Sequence, residues 1–175
     1  MNLTDEPAEE AARYAMNIEI IGIDHIYVAV SDLQHSEAFY DIVMKLLGLR
    51  KGTGTVDGEP FVHYYNPHFQ YTLRKAGAGA GTHNSLAPGF NHLCFQVAET
   101  SDVDAAARGL LALGISVSEP RLYPEYAPDY YAIYFTDPDG IRLEIVRRTH
   151  IRDIIRKRWA DLDVFENPLQ KIGAI

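Results

Sequence analysis

A single cysteine, Cys94, rules out any internal disulfide, and such sparing use of thiols fits a reducing, cytoplasmic setting. None is needed for stability, because 47% apolar residues in a chain of 175 supply ample core. No apolar run approaches the roughly 18 residues of a membrane span. The opening Met1-Asn2-Leu3-Thr4-Asp5-Glu6 lacks the basic start and apolar stretch of a secretion signal. Basic residues are outnumbered, 16 against 24 acidic, and the net charge of −8 argues against nucleic acid as a partner. Gly77-Ala78-Gly79-Ala80-Gly81 is the one glycine-rich stretch. It has no strand before it feeding a helix and no Lys-Ser/Thr after it, so it reads as a flexible connector and not as a phosphate loop. The basic cluster Arg147, Arg148, Arg152, Arg156, Lys157 and Arg158 reads first as a solvated helix face, with an anion or subunit contact as the alternative.

What the chain does have is a repeat. Ile23-Asp24-His25-Ile26-Tyr27-Val28-Ala29-Val30 returns as Phe90-Asn91-His92-Leu93-Cys94-Phe95-Gln96-Val97, with one histidine at the third place of each copy. Side chains alternate across a strand. Ile26, Val28 and Val30 therefore share one face, opposite His25, Tyr27 and Ala29. Leu93, Phe95 and Val97 likewise oppose His92, Cys94 and Gln96. In Ile141-Arg142-Leu143-Glu144-Ile145-Val146, Leu143 and Ile145 oppose Glu144. The apolar faces suit packing on a helix, and the other face carries His25, His92 and Glu144 each time. Two histidines and a carboxylate from separate strands are the parts of a divalent-metal site with open positions.

The order of elements also repeats. Ile23–Val30 reads as a strand, followed by a helix from Leu33 to Leu47 that Gly48 ends. Strands are expected over Leu49–Thr55, Phe61–Tyr65 and His68–Lys75. In the second half they are expected over Asn91–Val97, Ile115–Val117, Tyr130–Thr136 and Ile141–Val146, with a helix over Asp102–Leu113 and a loop over Pro120–Pro128. The predicted fold is α+β: two βαβββ modules pairing to form a curved mixed sheet that encloses a metal-binding cup. The expected organisation is an N-terminal extension (1–20) with a short helix over Ala8–Met16, a first module (21–76), a linker (77–89), a second module (90–149), and a C-terminal helix and tail (150–175). That closing helix is expected over His150–Asp161.

These residues resemble the vicinal-oxygen-chelate superfamily, which includes glyoxalase I, methylmalonyl-CoA epimerase, fosfomycin-resistance enzymes, extradiol dioxygenases and bleomycin-resistance proteins. The likeness rests on Asp24-His25 through Ser31-Asp32-Leu33, on Phe39-Tyr40 and Leu47-Gly48-Leu49, on Asn91-His92, and on Tyr134 through Glu144. It implies one divalent ion held by His25, His92 and Glu144, with Fe(II) or Mn(II) preferred over Zn(II), Ni(II) or Co(II). It also implies a small-molecule substrate with two neighbouring oxygens, and a homodimer.

In the first half, the place that a glyoxalase-type Glu or Gln would take falls on Thr72, with Gln70 in the same phase. A tyrosine like Tyr134, ten residues before Glu144, occurs in the dioxygenases and in the fosfomycin branch, and implies a catalytic role. Tyr27, Gln70, Thr72, Cys94 and Tyr131 are the candidates for substrate contact or for support of the ligands. Three functions follow from the resemblance. The first is an extradiol-type dioxygenase on a catechol-like substrate. The others are a glyoxalase- or epimerase-like lyase or isomerase, and a metal-free protein that binds an antibiotic or metabolite.

Overall fold

A computed structural model describes residues 20–174; the helix expected over Ala8–Met16 lies outside them. The first half runs β1 (His25–Val30), α1 (Leu33–Leu46), β2 (Arg50–Val56), β3 (Glu59–Tyr65) and β4 (Gln70–Lys75). The second runs β5 (His92–Gln96), α2 (Thr100–Ala112), β6 (Arg121–Leu122), β7 (Tyr131–Thr136) and β8 (Arg142–Arg147). α3 (His150–Lys157), a 3-10 turn (Trp159–Asp161) and α4 (Pro168–Lys171) close the chain. Each half forms a four-stranded mixed sheet, in the orders β1-β4-β3-β2 and β5-β8-β7-β6. The predicted α+β architecture of two curved mixed sheets with helices is thus present.

Local chemistry sets the boundaries. Asp32 caps α1 by accepting the His35 N–H at 3.0 Å. Gly48 and Gly114 follow the two helices at φ 79° and 78°, a conformation in which a Cβ is strained. β4 starts at Gln70, not at His68, because Asn66 Oδ1 takes the N–H groups of His68 (2.8 Å) and Phe69 (3.1 Å) and holds them in a turn. The strand expected over Ile115–Val117 shrinks to one bridge, Val117 with Phe135. Pro120 has no N–H to extend that ladder, and the edge passes to β6, inside the stretch expected to be a loop.

Alternation places the core as expected. Val30, Leu73, Leu143 and Ile145 are fully buried, each on the helix side of its sheet, and one hydrophobic cluster runs through both halves. The halves meet through their apolar backs. Phe69 lies 6.0 Å from Phe95 between ring centres. A Cβ added at Gly109 on α2 would stand 2.7 Å from Leu46 on α1, so glycine permits that close approach. Across the same seam, Tyr40 of α1 donates to Asp137 of the β7–β8 turn at 2.9 Å. Because the halves sit back to back, the histidine-bearing faces of the two sheets point away from this core.

α3 lacks a side-chain cap of its own, and a distant carboxylate supplies one. Asp129 Oδ2 accepts the N–H groups of His150 (2.8 Å) and Thr149 (2.9 Å) and pairs with Arg147 at 2.8 Å. Burial alone would raise its pKa, but those N–H groups and Arg147 outweigh burial and hold it below the usual carboxylate range. Its folded pKa is thus below its unfolded one, so the stabilisation is complete above about pH 4 and is lost as pH falls through the folded value. Asp129→Asn is expected to cost about 1 kcal/mol. Hydrogen exchange along residues 150–157 should speed up in the variant at pH 7, and in the wild type only in acid.

Candidate metal centre

Strand register carries the candidate ligands. β5 pairs with β8 in parallel, with Cys94 opposite Glu144 and His92 opposite Arg142. β7 pairs with β8 in antiparallel fashion, with Tyr134 opposite Glu144. Glu144 is 1% exposed although it lies on the sheet face away from the main core. A second, smaller apolar cluster explains this: Tyr123, Ala132 and Val146, with Tyr130 and Tyr134 against them, wall the carboxylate in. A buried carboxylate needs partners. Tyr130 donates to Oε1 at 2.5 Å, and Oε2 stands 3.6 Å from His92 Nε2. The second distance is too long for a hydrogen bond. It suits two donors of one divalent cation, which sit roughly 3–4 Å apart when each bond is about 2.1 Å.

Both histidines are prepared alike. His92 Nδ1 meets Asn91 Oδ1 at 2.7 Å, and His25 Nδ1 meets Asp24 Oδ2 at 2.7 Å. An oxygen acceptor on Nδ1 puts the proton there and leaves Nε2 with a bare lone pair, as a metal ligand requires. The residue before each histidine in the repeat therefore has a physical reason to be Asp or Asn. The donor set fits a divalent metal in this respect.

One chain does not bring all three ligands together. Among the described residues, no three His, Cys, Asp or Glu side chains converge on a shared point. His25 stands exposed on the first sheet, edge-to-face with Tyr27 at 5.3 Å, and Tyr27 is itself 50% exposed. The second sheet holds His92 and Glu144 as a pair. Each chain thus presents His25 on one sheet and the His92–Glu144 pair on the other.

The remaining candidates divide. Thr72 pairs with Tyr27 on β1 and His63 on β3, as Glu144 pairs with Cys94 and Tyr134, so Thr72 is the positional counterpart of Glu144. It is fully buried and takes a hydrogen bond from Gln70 Nε2 at 3.0 Å. The first sheet therefore offers no carboxylate at that place. Cys94 is exposed at the sheet surface, but its sulfur lies against Glu144; desolvation there first, then that negative charge, push the thiol well up, so it stays protonated at neutral pH. Tyr134 also lies against Glu144, with the Arg142 guanidinium 4.0 Å above its ring. Tyr131 is not brought to the site: its hydroxyl donates to Asp104 on α2 at 2.8 Å, on the helix side. Its neighbour Tyr130 reaches the carboxylate instead. The signal was present, because two-residue steps from Tyr134 through Ala132 lead to Tyr130 and skip Tyr131. Arg148 follows Glu144 and Val146 in the same phase, lies 5.8 Å from the Tyr130 ring centre, and leaves its buried Nε without a partner.

Among the described residues, no helix is long and apolar enough to cross a membrane. The chain is 29% identical over 122 residues to a metallothiol transferase FosB of Lysinibacillus sphaericus, covering 70% of this chain and 79% of that one. It is 28% identical over 129 residues to a metallothiol transferase FosB of Bacillus licheniformis, covering 74% and 77%. A crystal structure of a glyoxylase/bleomycin resistance protein/dioxygenase domain from Frankia sp. EAN1pec shares the fold with a TM-score of 0.62. That match is at 24% identity over 74% of this chain and 98% of that one. The model of the Glyoxalase/Bleomycin resistance protein/Dioxygenase superfamily matches residues 22–145, which span both sheets and all three candidate ligands, and the chain belongs to that superfamily.

Proposed function

We propose that the protein is a divalent-metal enzyme that activates a small, vicinally oxygenated substrate for attack by an external nucleophile such as a thiol. Its metal is held by His25 of one copy together with His92 and Glu144 of a second. The observation that carries this reading is the bare, pre-oriented pair of His92 Nε2 and Glu144 Oε2 at 3.6 Å, on a sheet whose counterpart has Thr72 in place of a second carboxylate. A bound cation would polarise substrate oxygens and stabilise charge developing on them. The protein's own contribution is to hold Nε2 and Oε2 open and to shield Glu144 from water with Tyr123, Tyr130 and Tyr134.

With Thr72 in the first sheet at the place Glu144 takes in the second, that place offers no base for carbon–proton transfer. Thiol addition needs none there. The sulfur forms a bond to the carbon that bears the polarised oxygen, that carbon–oxygen bond breaks, and the oxygen keeps the electron pair and takes the proton released by the thiol. The metallothiol transferases among its relatives support this class over proton shuttling.

The strand edges support assembly from two copies. Among the described residues, β1 pairs with β4 alone and β5 with β8 alone, which leaves one edge of each uncovered there. Free edges call for cover. Ile20, Ile21 and Ile23, just ahead of β1, and Phe90, just ahead of β5, are exposed large apolar residues. Joining the β1 edge of one copy to the β5 edge of another would set His25 beside His92 and Glu144.

The second reading is a ring-cleaving dioxygenase, favoured by Tyr134 against Glu144 with Thr72, not a carboxylate, at the matching place of the first sheet. Chelator-stripped protein reloaded with Mn(II), Fe(II), Zn(II), Ni(II) or Co(II) tests both. One metal per chain and metal-dependent consumption of a thiol with an electrophilic oxygenated substrate are expected. O₂ uptake with catechols under Fe(II) alone would favour the dioxygenase. Protein that takes up no stoichiometric metal would remove both readings and leave a binding protein.

A further inference from the structure

We infer that Tyr130 is a positioning residue that makes Glu144 a one-oxygen ligand, with Oε1 tied back and Oε2 presented to the cation beside His92. The inference rests on the metal reading above.

A carboxylate offers two equivalent oxygens and rotates between them. In a buried site, the oxygen that does not bind metal still needs a donor, or its lone pairs go unsatisfied. Tyr130 meets that need: its hydroxyl donates to Oε1 at 2.5 Å, while Oε2 is the oxygen that faces His92 Nε2 at 3.6 Å.

The phenol is itself held in place. The Tyr130 N–H donates to the Ala127 carbonyl at 3.1 Å, and its own carbonyl accepts the Tyr123 N–H at 2.7 Å. Its ring stands edge-on to Tyr126 at 5.1 Å and to Tyr123 at 6.4 Å. The hydroxyl therefore approaches from a fixed direction, and Glu144 cannot turn both oxygens toward the cation without giving up the 2.5 Å hydrogen bond from Tyr130. Tyr134, the tyrosine that the sequence spacing singles out, sits directly across from Glu144 on β7. Tyr130 comes from the end of the loop that leads into β7, so the orientation of the ligand depends on the packing of that loop against Tyr123 and Tyr126.

Tyr130→Phe removes only the hydroxyl and keeps the ring in its aromatic cluster. The test compares wild type, Tyr130→Phe, Tyr126→Phe and His92→Ala as full-length dimers, with chelator competition for Mn(II) affinity and the visible spectrum of Co(II)-loaded protein. Tyr130→Phe should bind Mn(II) about 10- to 100-fold more weakly. Its Co(II) bands should shift as the carboxylate rotates toward two-oxygen binding, while the metal-free protein still melts cooperatively, at a temperature lowered by the loss of the donor to buried Oε1. Tyr126→Phe, which keeps every contact to Glu144, should match wild type in both measures. Wild-type affinity and spectrum in Tyr130→Phe, alongside lost binding in His92→Ala, would overturn the role of Tyr130 and leave the metal site standing. Full binding in His92→Ala would overturn the metal reading and this inference with it.

Discussion

Mixing His25→Ala protein with Glu144→Ala protein is expected to restore metal binding that neither variant shows alone. Each substitution removes one of three ligands, and two remaining donors do not hold a first-row divalent ion against a competing chelator. In a twofold dimer built as proposed, every site draws His25 from one copy and His92 with Glu144 from the other. A mixed dimer then has one site missing both replaced groups and one site with all three intact. Random exchange makes half of the dimers mixed, so about a quarter of all sites should recover. The readout is bound metal per chain after mild unfolding and refolding of the mixture, compared with each variant treated alone. Recovery near zero would show that one chain supplies all its own ligands or that the ligand set is wrong. The geometry makes the prediction sharp, since His25 stands exposed on one sheet while His92 and Glu144 form a pair on the other.

The largest effect on stability is expected at the seam between the halves. Asp137 is 5% exposed and serves as an acceptor on both oxygens. Oδ1 takes the N–H groups of Ile141 (2.7 Å) and Asp139 (3.0 Å), and Oδ2 takes the Tyr40 hydroxyl at 2.9 Å. Tyr40 is also 2.9 Å from the hydroxyl of Tyr71 on β4, and both tyrosines are fully buried. One carboxylate thus closes the β7–β8 turn of the second half and anchors α1 and β4 of the first. Burial raises its pKa despite these donors. Among the described residues, the ionised form is accordingly held by hydrogen bonds and not by a cation. Asp137→Ala would orphan the N–H groups of Ile141 and Asp139 and leave the buried Tyr40 hydroxyl with Tyr71 alone, at about 3 kcal/mol. A drop in melting temperature of about 6–12 °C is the expected result for a chain of this size. Asp137→Asn keeps an acceptor for the turn and should fall between the two. A change within 1 °C for the alanine variant would mean that the network adds nothing beyond the apolar seam.

Period-two alternation makes much of this molecule legible in the sequence alone. Leu143 and Ile145 had to be buried together, and His25, His92 and Glu144 had to face the other way, because a strand leaves no other choice once one face is apolar. The glycines after α1 and α2, the β-branched runs and the Asp137–Gly140 turn likewise announce their backbone conformation locally. Tyr130 was within reach of the same reasoning, two steps from Ala132, but the segment before it reads as an open loop. Only the fold shows the loop returning over Glu144 to bury it. His68 and Phe69 misled because a strand-like composition cannot reveal that Asn66 would capture their N–H groups.

What the residues alone decided is which side chains share a face, since that depends on neighbours in sequence and on the geometry of one strand. Which faces meet was left to the tertiary structure. Whether two half-sites close on each other within a chain or across a pair depends on how the halves dock through Phe69, Phe95, Leu46 and Gly109. Those contacts join residues far apart in sequence, and they leave the local pattern around each histidine unchanged.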